Sequence, residues 1–300
     1  LYIFGSDNMD KIILINKEKG YTSRDIVNII SKKFNTRKVG HFGTLDPMAT
    51  GLLVIGIGSL TKLGNFNIFD NKTYKVEALV GTKTDTYDIT GNILSKQDKL
   101  ITKEDLEKQL KSFEKTYLQE VPIYSAVKVN GKKLYEYARN NIPVTLPKKE
   151  VTIYDINDIN LYIKDKKQYF SFTCHVSKGT YIRSLINDLS KKLNIPLCMN
   201  SLERITQGPF NIKDSYSLYD IENDNYKLLS VKEVLNPKVM EPIKEYEKEI
   251  INGGIIPKIS ENYILFVKNN CELSLYGPYQ DKMKPYIMFK RGDNTWISVP

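Results

Sequence analysis

The 300-residue sequence has few of the residues that build disulfide frameworks and metal sites. Its three cysteines, Cys174, Cys198 and Cys271, are odd in number and widely separated, and it has only two histidines. This spacing argues against a disulfide framework and a thiolate zinc site, and two imidazoles are too few for a His-rich metal site. We therefore expect a reducing compartment and no bound metal.

Long apolar runs are also missing. No uninterrupted apolar stretch approaches the roughly 20 residues that span a bilayer, and the N-terminus lacks the charged-then-apolar order of a secretion signal. We expect no membrane association and a cytoplasmic location. Residues 1–8 precede the first methionine, Met9, and we treat them as a leader or expression-derived segment outside the fold.

Positive charge is concentrated in the first two thirds of the chain. Lys and Arg number 44 against 35 Asp and Glu, for a net charge of +9. Residues 1–210 carry 32 basic and 22 acidic groups, whereas residues 211–300 carry 12 and 13. A basic surface fits a polyanionic partner but is equally common in proteins without one, so charge alone leaves the partner open.

Residues 40–51, GHFGTLDPMATG, have the composition of a shaped loop, with three glycines and a proline in twelve positions. The apolar run over residues 52–57 predicts a buried strand at the exit of the loop. Because a residue before proline avoids the α region, Asp46 is predicted to be extended and to present its carboxylate. An Asp-Pro pair in isolation more simply makes a turn.

This string resembles the active-site motif of the TruB family of pseudouridine synthases, which isomerise uridine at position 55 in the TΨC loop of tRNA. The resemblance implies that Asp46 is the catalytic residue and that His41 fills the space left by a flipped-out base. An isolated histidine would more often be a hydrogen-bonding group of the loop. The isomerisation needs no cofactor. Whether Asp46 adds to C6, attacks C1′ or removes a sugar proton stays open, because one carboxylate serves all three routes.

Three further stretches extend the resemblance. Tyr74 opens an alternating strand over residues 72–81 and matches the family tyrosine that stacks on the target base and has been proposed to handle the C5 proton; otherwise it is a core residue. Arg183 falls in the first turn of a predicted helix and matches the arginine that pairs with the catalytic aspartate, keeping it ionised and oriented. Leu202 matches a leucine that packs at the active site. Glu203 stands where a basic residue is common, which argues against a phosphate contact there.

The RNA-binding candidates besides His41 are basic residues close to these motifs. Arg37 and Lys38 come just before the loop, where we favour phosphate contact over a merely solvated charge cluster. The turn at residues 17–20 keeps the family's lysine and glycine but has Glu18 in place of its usual proline. The full set of predicted basic contacts is Lys17, Lys19, Arg37, Lys38 and Lys178.

The pattern of strands and helices predicts an α+β protein, and the resemblance implies the pseudouridine synthase fold, with a central, mainly antiparallel sheet flanked by helices and loops over residues 9–236. Strand-like segments at 263–267, 272–277 and 284–290 predict a small all-β domain over residues 237–300. This domain is similar in position to the PUA-like RNA-binding domain that ends bacterial family members.

These expectations amount to a stand-alone, monomeric enzyme that recognises the T stem-loop of tRNA by its shape and backbone, without a guide RNA. One rival is a non-catalytic RNA-binding module on the same fold, which the joint presence of Asp46, Tyr74 and Arg183 argues against. A nearer rival is the guide-RNA-dependent branch of the superfamily, which acts within a multi-protein particle. The bacterial layout and the lack of basic tails favour the stand-alone type.

Overall fold

A computed structural model of the chain describes residues 9–289. The leader predicted over residues 1–8 and the last eleven positions of the predicted C-terminal domain lie outside this range. The strands are β1 (Lys11–Lys17), β2 (Val39–His41), β3 (Thr50–Ile57), β4 (Lys72–Val80), β5 (Thr82–Thr84), β6 (Ile93–Lys96), β7 (Thr116–Glu120), β8 (Lys128–Val129), β9 (Lys132–Lys133), β10 (Lys148–Lys164), β11 (Lys167–Val176), β12 (Leu197–Gln207), β13 (Phe210–Asn211), β14 (Lys238–Met240), β15 (Ile256–Pro257), β16 (Ile264–Lys268), β17 (Cys271–Tyr279) and β18 (Lys282–Met288).

Most helices are short and lie between these strands. The α-helices are α1 (Ser23–Lys33), α2 (Lys103–Lys111), α3 (Leu134–Arg139), α4 (Ile182–Leu193), α5 (Leu218–Glu222), α6 (Val231–Leu235) and α7 (Glu247–Asn252). Short 3₁₀ segments cover Gly58–Asn65, Asn67–Phe69, Ile212–Asp214 and Lys244–Tyr246. None of the helices described between Met9 and Phe289 has the length and apolar character needed to cross a bilayer.

A nine-stranded sheet organises the first part of the chain. Its main path runs β1-β3-β12-β4-β11-β10-β7, with β2 paired to β3 and β13 paired to β12. Every pairing in it is antiparallel except that of β3 with β12. The predicted α+β class and the mainly antiparallel sheet are therefore confirmed.

The single parallel contact lies beside the predicted catalytic loop. Thr50 is opposite Glu203 and Gly51 is opposite Arg204. Gly51 has a φ of +98°, and a Cβ added there would lie 2.5 Å from the carbonyl oxygen of Arg204. Only glycine fits this conformation and this close approach, so Gly51 lets β12 reach the end of the loop.

Helices α1, α2 and α4 cover one face of the sheet with their apolar sides. Thr22 caps α1 by accepting a hydrogen bond from the Asp25 amide, and Ile26 and Ile30 of that helix are fully buried. In α4, Leu185 and Leu189 are fully buried in the same core. This packing anchors the first turn of α4, which carries Arg183, against the sheet.

The chain from β14 onward forms a second, five-stranded sheet in the order β14-β16-β17-β18-β15. The strands predicted at 263–267, 272–277 and 284–290 correspond to β16, β17 and β18, and helix α7 was not predicted. Residues of this sheet share a core with Phe42, which belongs to the loop over residues 40–51. In that shared core the ring of Phe66 stacks on Tyr263 at 5.1 Å, and Leu265 joins the cluster that contains Phe42.

Candidate active site

A cleft of about 300 Å³ opens between the loop that joins β2 to β3, the start of β4, the first turn of α4 and strand β12. Clefts of this size hold small organic groups. The residues that carry polar or aromatic groups into its lining are Phe42, Thr44, Asp46, Phe69, Asp70, Lys72, Tyr74, Ser125, Ser177, Lys178, Thr180, Tyr181, Arg183 and Arg204.

Asp46 and Arg183 form an ion pair in this cleft. Arg183 Nε lies 2.9 Å from Asp46 Oδ2; the Arg183 side chain is 6% exposed, and that of Asp46 is 34% exposed. The other guanidinium nitrogens donate to backbone oxygens, Nη1 to Thr86 at 3.3 Å and Nη2 to Tyr124 at 3.1 Å. The arginine is thus held from three sides. It orients a carboxylate that still faces the cleft.

The backbone around Asp46 is fixed by hydrogen bonds to neighbouring elements. The amide of Ala49 donates to the Asp46 carbonyl oxygen at 3.0 Å, closing a turn. Ser23 Oγ accepts from the Leu45 amide at 2.9 Å and donates to the Leu45 carbonyl oxygen at 3.1 Å. The loop therefore presents Asp46 from a support that is tied to α1.

Lys17 belongs to this support and not to the surface. It is fully buried, and its ammonium donates to the carbonyl oxygens of Tyr21 at 2.7 Å and Glu18 at 3.0 Å and reaches that of Pro47 at 3.5 Å. Burial lowers the pKa of Lys17 to about 8. The RNA contact predicted for Lys17 disagrees with this burial, because the ammonium is already committed to holding the loop.

Tyr74 and Leu202, predicted as active-site support, line the cleft together with Asp46. Both are largely buried, at 7% and 8% exposure. Burial raises the pKa of the Tyr74 hydroxyl, although the Arg204 guanidinium opposes the shift. Tyr74 is therefore a neutral phenol near pH 7, which can stack and donate a hydrogen bond.

The remaining predicted RNA-binding residues fall in two places. Lys178 is exposed at the cleft and pairs with Asp70, its Nζ lying 2.9 Å from Oδ1. Lys19, Arg37 and Lys38 are exposed outside the residues that line the cleft.

His41 also lies outside the cleft lining, at the end of β2, where it is half-buried. Its Nδ1 is buried and has no hydrogen-bond partner among the described residues. Burial and the nearby charges of Arg24 and Arg204 lower the pKa of His41. The imidazole is therefore neutral at pH 7.

Three polar residues of the site were not predicted for these roles. Arg204 is fully buried, its Nε donating to the Leu52 carbonyl oxygen at 2.7 Å and its Nη2 to that of Gly43 at 3.1 Å. Lys72 lies beside it. Alternation along β12 places Leu202 and Arg204 on one face of the strand, so the prediction for Leu202 already contained the signal for Arg204.

Asp88 is the third of these residues. Aspartates in polar loops commonly hydrogen-bond to nearby groups of the loop, and Asp88 Oδ1 accepts from the Thr90 amide and from Thr86 Oγ1, both at 2.9 Å. Its Oδ2 also lies 3.8 Å from Arg183 Nε. Arg183 is thus flanked by two carboxylates. Between Met9 and Phe289 no group of three or more His, Cys, Asp or Glu side chains is arranged to hold a metal ion.

The sequence of this chain is similar to those of known proteins. Residues 31–182 match the family profile described as TruB family pseudouridylate synthase, N-terminal domain. The chain is 39% identical over 275 residues to tRNA pseudouridine synthase B of Clostridium kluyveri, covering 90% of this chain and 92% of the relative. It is 38% identical over 288 residues to the protein of the same name from Mesoplasma florum, covering 95% and 98%.

Solved structures share the fold at lower identity. A chain from a Cbf5–Nop10–Gar1 complex superposes with a TM-score of 0.63 at 18% identity, covering 94% of this chain and 84% of the other.

Proposed function

This chain belongs to the TruB family of pseudouridine synthases, which makes it an isomerase of uridine in tRNA, and we propose that its substrate is the uridine at position 55 of the TΨC loop, with Asp46 as the catalytic carboxylate. The observation that carries the proposal is the pair of Asp46 and Arg183 at a cleft bordered by Tyr74 and Leu202. These are the four positions at which the family motifs and the geometry coincide.

The uridine must leave the stacked loop to meet Asp46. Extruding a base costs a few kcal/mol, and the protein recovers this cost through contacts with the extruded base. In our proposal the uracil stacks on Tyr74 and packs against Leu202, while His41 occupies the gap left in the RNA. The neutral imidazole suits this task, because a ring without charge can take the place of a base in a stack.

Arg183 orients the Asp46 carboxylate. Its guanidinium Nε lies 2.9 Å from Oδ2 and fixes the direction in which the carboxylate points. The exposed side of Asp46 then faces the ribose or the base. The same Asp46 carboxylate can begin each of three routes, which are addition to C6, attack at C1′ and abstraction of a sugar proton.

The RNA is held by basic groups around the cleft. We assign phosphate contacts to the exposed residues Lys19, Arg37, Lys38 and Lys178, which fix the register of the T stem-loop without reading its sequence. We further propose that residues 237–300 act as a PUA-like RNA-binding domain beside a catalytic domain over residues 9–236. The enzyme works as a monomer in the cytoplasm and without a guide RNA.

The test is to map pseudouridine in tRNA that lacks it, incubated with the purified chain alone. Pseudouridine at position 55 is the expected product, and Asp46→Asn should abolish it while tRNA binding persists. Asp98→Asn, in an exposed loop, is the matched control and should retain full activity. Pseudouridine only at other positions would refute the site assignment. If the wild-type chain binds tRNA but forms no pseudouridine, the result favours the non-catalytic RNA-binding module. If it forms pseudouridine only with an added guide RNA, the result favours a guide-RNA-dependent enzyme.

A further inference from the structure

Two buried cations line the cleft, and neither has a carboxylate partner in the described part of the chain. Lys72 is 9% exposed and Arg204 is 0% exposed, and both line the cleft. Within residues 9–289, neither group has an Asp or Glu oxygen within 4.0 Å; Asp70, the acid nearest in sequence to Lys72, is paired with Lys178. Buried charges are normally paired, because burial costs them their hydration. The burial of two cations without carboxylate partners at this cleft therefore indicates a functional role.

Both cations also keep unused hydrogen-bond donors. Lys72 Nζ donates to the carbonyl oxygens of Asp70 at 2.8 Å and Phe69 at 3.2 Å, which leaves one of the three ammonium protons free. Arg204 Nη1 is buried and donates to no acceptor in the described part of the chain. The site therefore has positive charge and spare donors, and no described carboxylate lies within 4.0 Å of either cation.

Gly43 brings the loop directly over this pair. A Cβ at Gly43, where φ is +149°, would lie 3.3 Å from Lys72 Cε and 3.4 Å from Arg204 Nη1. Because Gly43 has no side chain, its backbone packs closely against both cations. Gly43 also lines the cleft. A substrate bound in the cleft beside Asp46 therefore experiences the positive electrostatic potential of Lys72 and Arg204.

We propose that Lys72 and Arg204 stabilise the negative charge that develops on the pyrimidine during isomerisation. When the C1′–N1 bond breaks, its electron pair stays on N1 and the uracil becomes an anion whose charge is shared with O2 and O4. The ribose C1′ is meanwhile captured by Asp46 or loses its neighbouring proton to it. In the addition route, the electron pair brought by Asp46 to C6 also ends on O4.

Rejoining the pyrimidine to C1′ through C5 consumes the anion and releases the C5 proton to a base. Every route therefore places negative charge on the same ring, and two fixed cations lower the barrier of each. Preorganised charges at the position where charge develops are among the largest contributions to enzyme rates. Arg204 has the further role of a positioning residue, since it holds the carbonyl oxygens of Gly43 and Leu52 on both sides of Asp46.

This inference rests on the proposed function and is tested by single-turnover cleavage of the glycosidic bond in T stem-loop RNA. Lys72→Met removes the charge at similar volume, Lys72→Arg keeps it, and Lys75→Met, three residues along β4 and exposed, is the matched control. Each protein is measured on RNA with uridine and on RNA with 5-fluorouridine at the target. Fluorine stabilises the pyrimidine anion, so this substrate depends less on outside charge.

We expect Lys72→Met to slow the uridine substrate by about 100-fold and the 5-fluorouridine substrate clearly less, with Lys72→Arg and Lys75→Met close to wild type. An unchanged rate, or equal slowing on both substrates at unchanged RNA affinity, would overturn the electrostatic role. Lys72→Gln serves as the second uncharged variant should Lys72→Met fail to fold, and the same criteria apply to it. A wild-type chain inactive on both RNAs would instead refute the proposed function, and this inference with it.

Discussion

Arg183 Nε lies 2.9 Å from Asp46 Oδ2, although the two residues are far apart in the sequence. Asp46 comes from the loop that precedes β3, and Arg183 from the helix that follows β11. Arg183 is almost fully buried, and two backbone oxygens and a second carboxylate, that of Asp88, surround it. The Arg183 side chain is therefore held rigidly, and it orients the Asp46 carboxylate.

Arg183→Ala should reduce single-turnover isomerisation by about 100- to 1,000-fold, the range found when one preorganised hydrogen-bond donor is removed from an active site. The reason is that Asp46 and Asp88 would lose their shared cation. Arg183→Lys should recover part of the rate, because it restores charge without the planar geometry. RNA affinity should change little, and an unchanged rate in Arg183→Ala would contradict the role of the ion pair.

Asp88→Ala should lower both stability and turnover. Its Oδ1 holds the loop that supplies the Thr86 carbonyl oxygen to Arg183, and its Oδ2 balances the guanidinium charge. Loss of these bonds should cost about 1–3 kcal/mol in the free energy of unfolding. Urea unfolding and single-turnover kinetics measure the two effects. Asp85→Ala, in the same loop but not in contact with Arg183, should lower stability with a much smaller effect on turnover.

Gly51→Ala should be far more damaging than Gly20→Ala. The two glycines have nearly equal φ values, +98° and +96°, so the intrinsic backbone strain of alanine is matched at roughly 1–2 kcal/mol. A Cβ at Gly51 would meet the Arg204 backbone at 2.5 Å, whereas a Cβ at Gly20 meets nothing within 4 Å. Thermal unfolding measures the difference, and equal losses in both variants would show that the β3–β12 contact adds no constraint of its own.

Wild-type stability should rise relative to that of Lys72→Met as the pH increases from about 8 to 10.5. Burial lowers the pKa of Lys72 from 10.5 to about 8, with Arg204 adding to the shift and Asp70 opposing it. Between these pH values the unfolded wild-type chain binds a proton that the folded chain has released, so its free energy of unfolding increases with pH. Urea unfolding of both proteins at pH 7 and pH 9.5 tests the sign, and Lys75→Met should follow the wild type.

Lys178→Gln should weaken tRNA binding and reduce the slope of log K against log salt by about 1, as expected for one lost phosphate contact. Lys166→Gln is the control, because it changes the same charge in the β10–β11 turn, at the end of those strands remote from the cleft. Filter binding at several salt concentrations measures both slopes. Equal slopes for the two variants would remove Lys178 from the RNA interface.

The strands and their pairing were largely predictable because their apolar residues alternate or run continuously. The alternation of residues 151–163 and 168–176 predicts paired strands, and these segments lie within β10 and β11, which pair antiparallel. An Asn-Gly pair likewise predicts a tight hairpin turn, and Asn130-Gly131 forms one between β8 and β9, with positive φ at both residues. Short-range chemistry decides features of this kind.

The buried polar residues were harder to predict, because their environment depends on contacts between distant segments. Nothing in the local sequence distinguishes Lys17, which is buried, from Lys19, which is exposed. Alternation along β12 puts Arg204 on the same face as Leu202, but it does not indicate that the guanidinium is fully buried there. Tertiary packing decides this, and it leaves no local pattern.

The parallel pairing of β3 with β12 also has a consequence for synthesis on the ribosome. Gly51 meets Arg204 across some 150 intervening residues, and Arg183 is made only shortly before Arg204. At typical rates of about 5–20 residues per second, the nascent chain carries Asp46 for about 7–27 seconds before Arg183, the first of the two arginines, is translated. The enzyme therefore gains its reactive geometry only near the end of the catalytic domain's translation, and an incomplete chain ending before β12 lacks the arginine that holds the loop around Asp46.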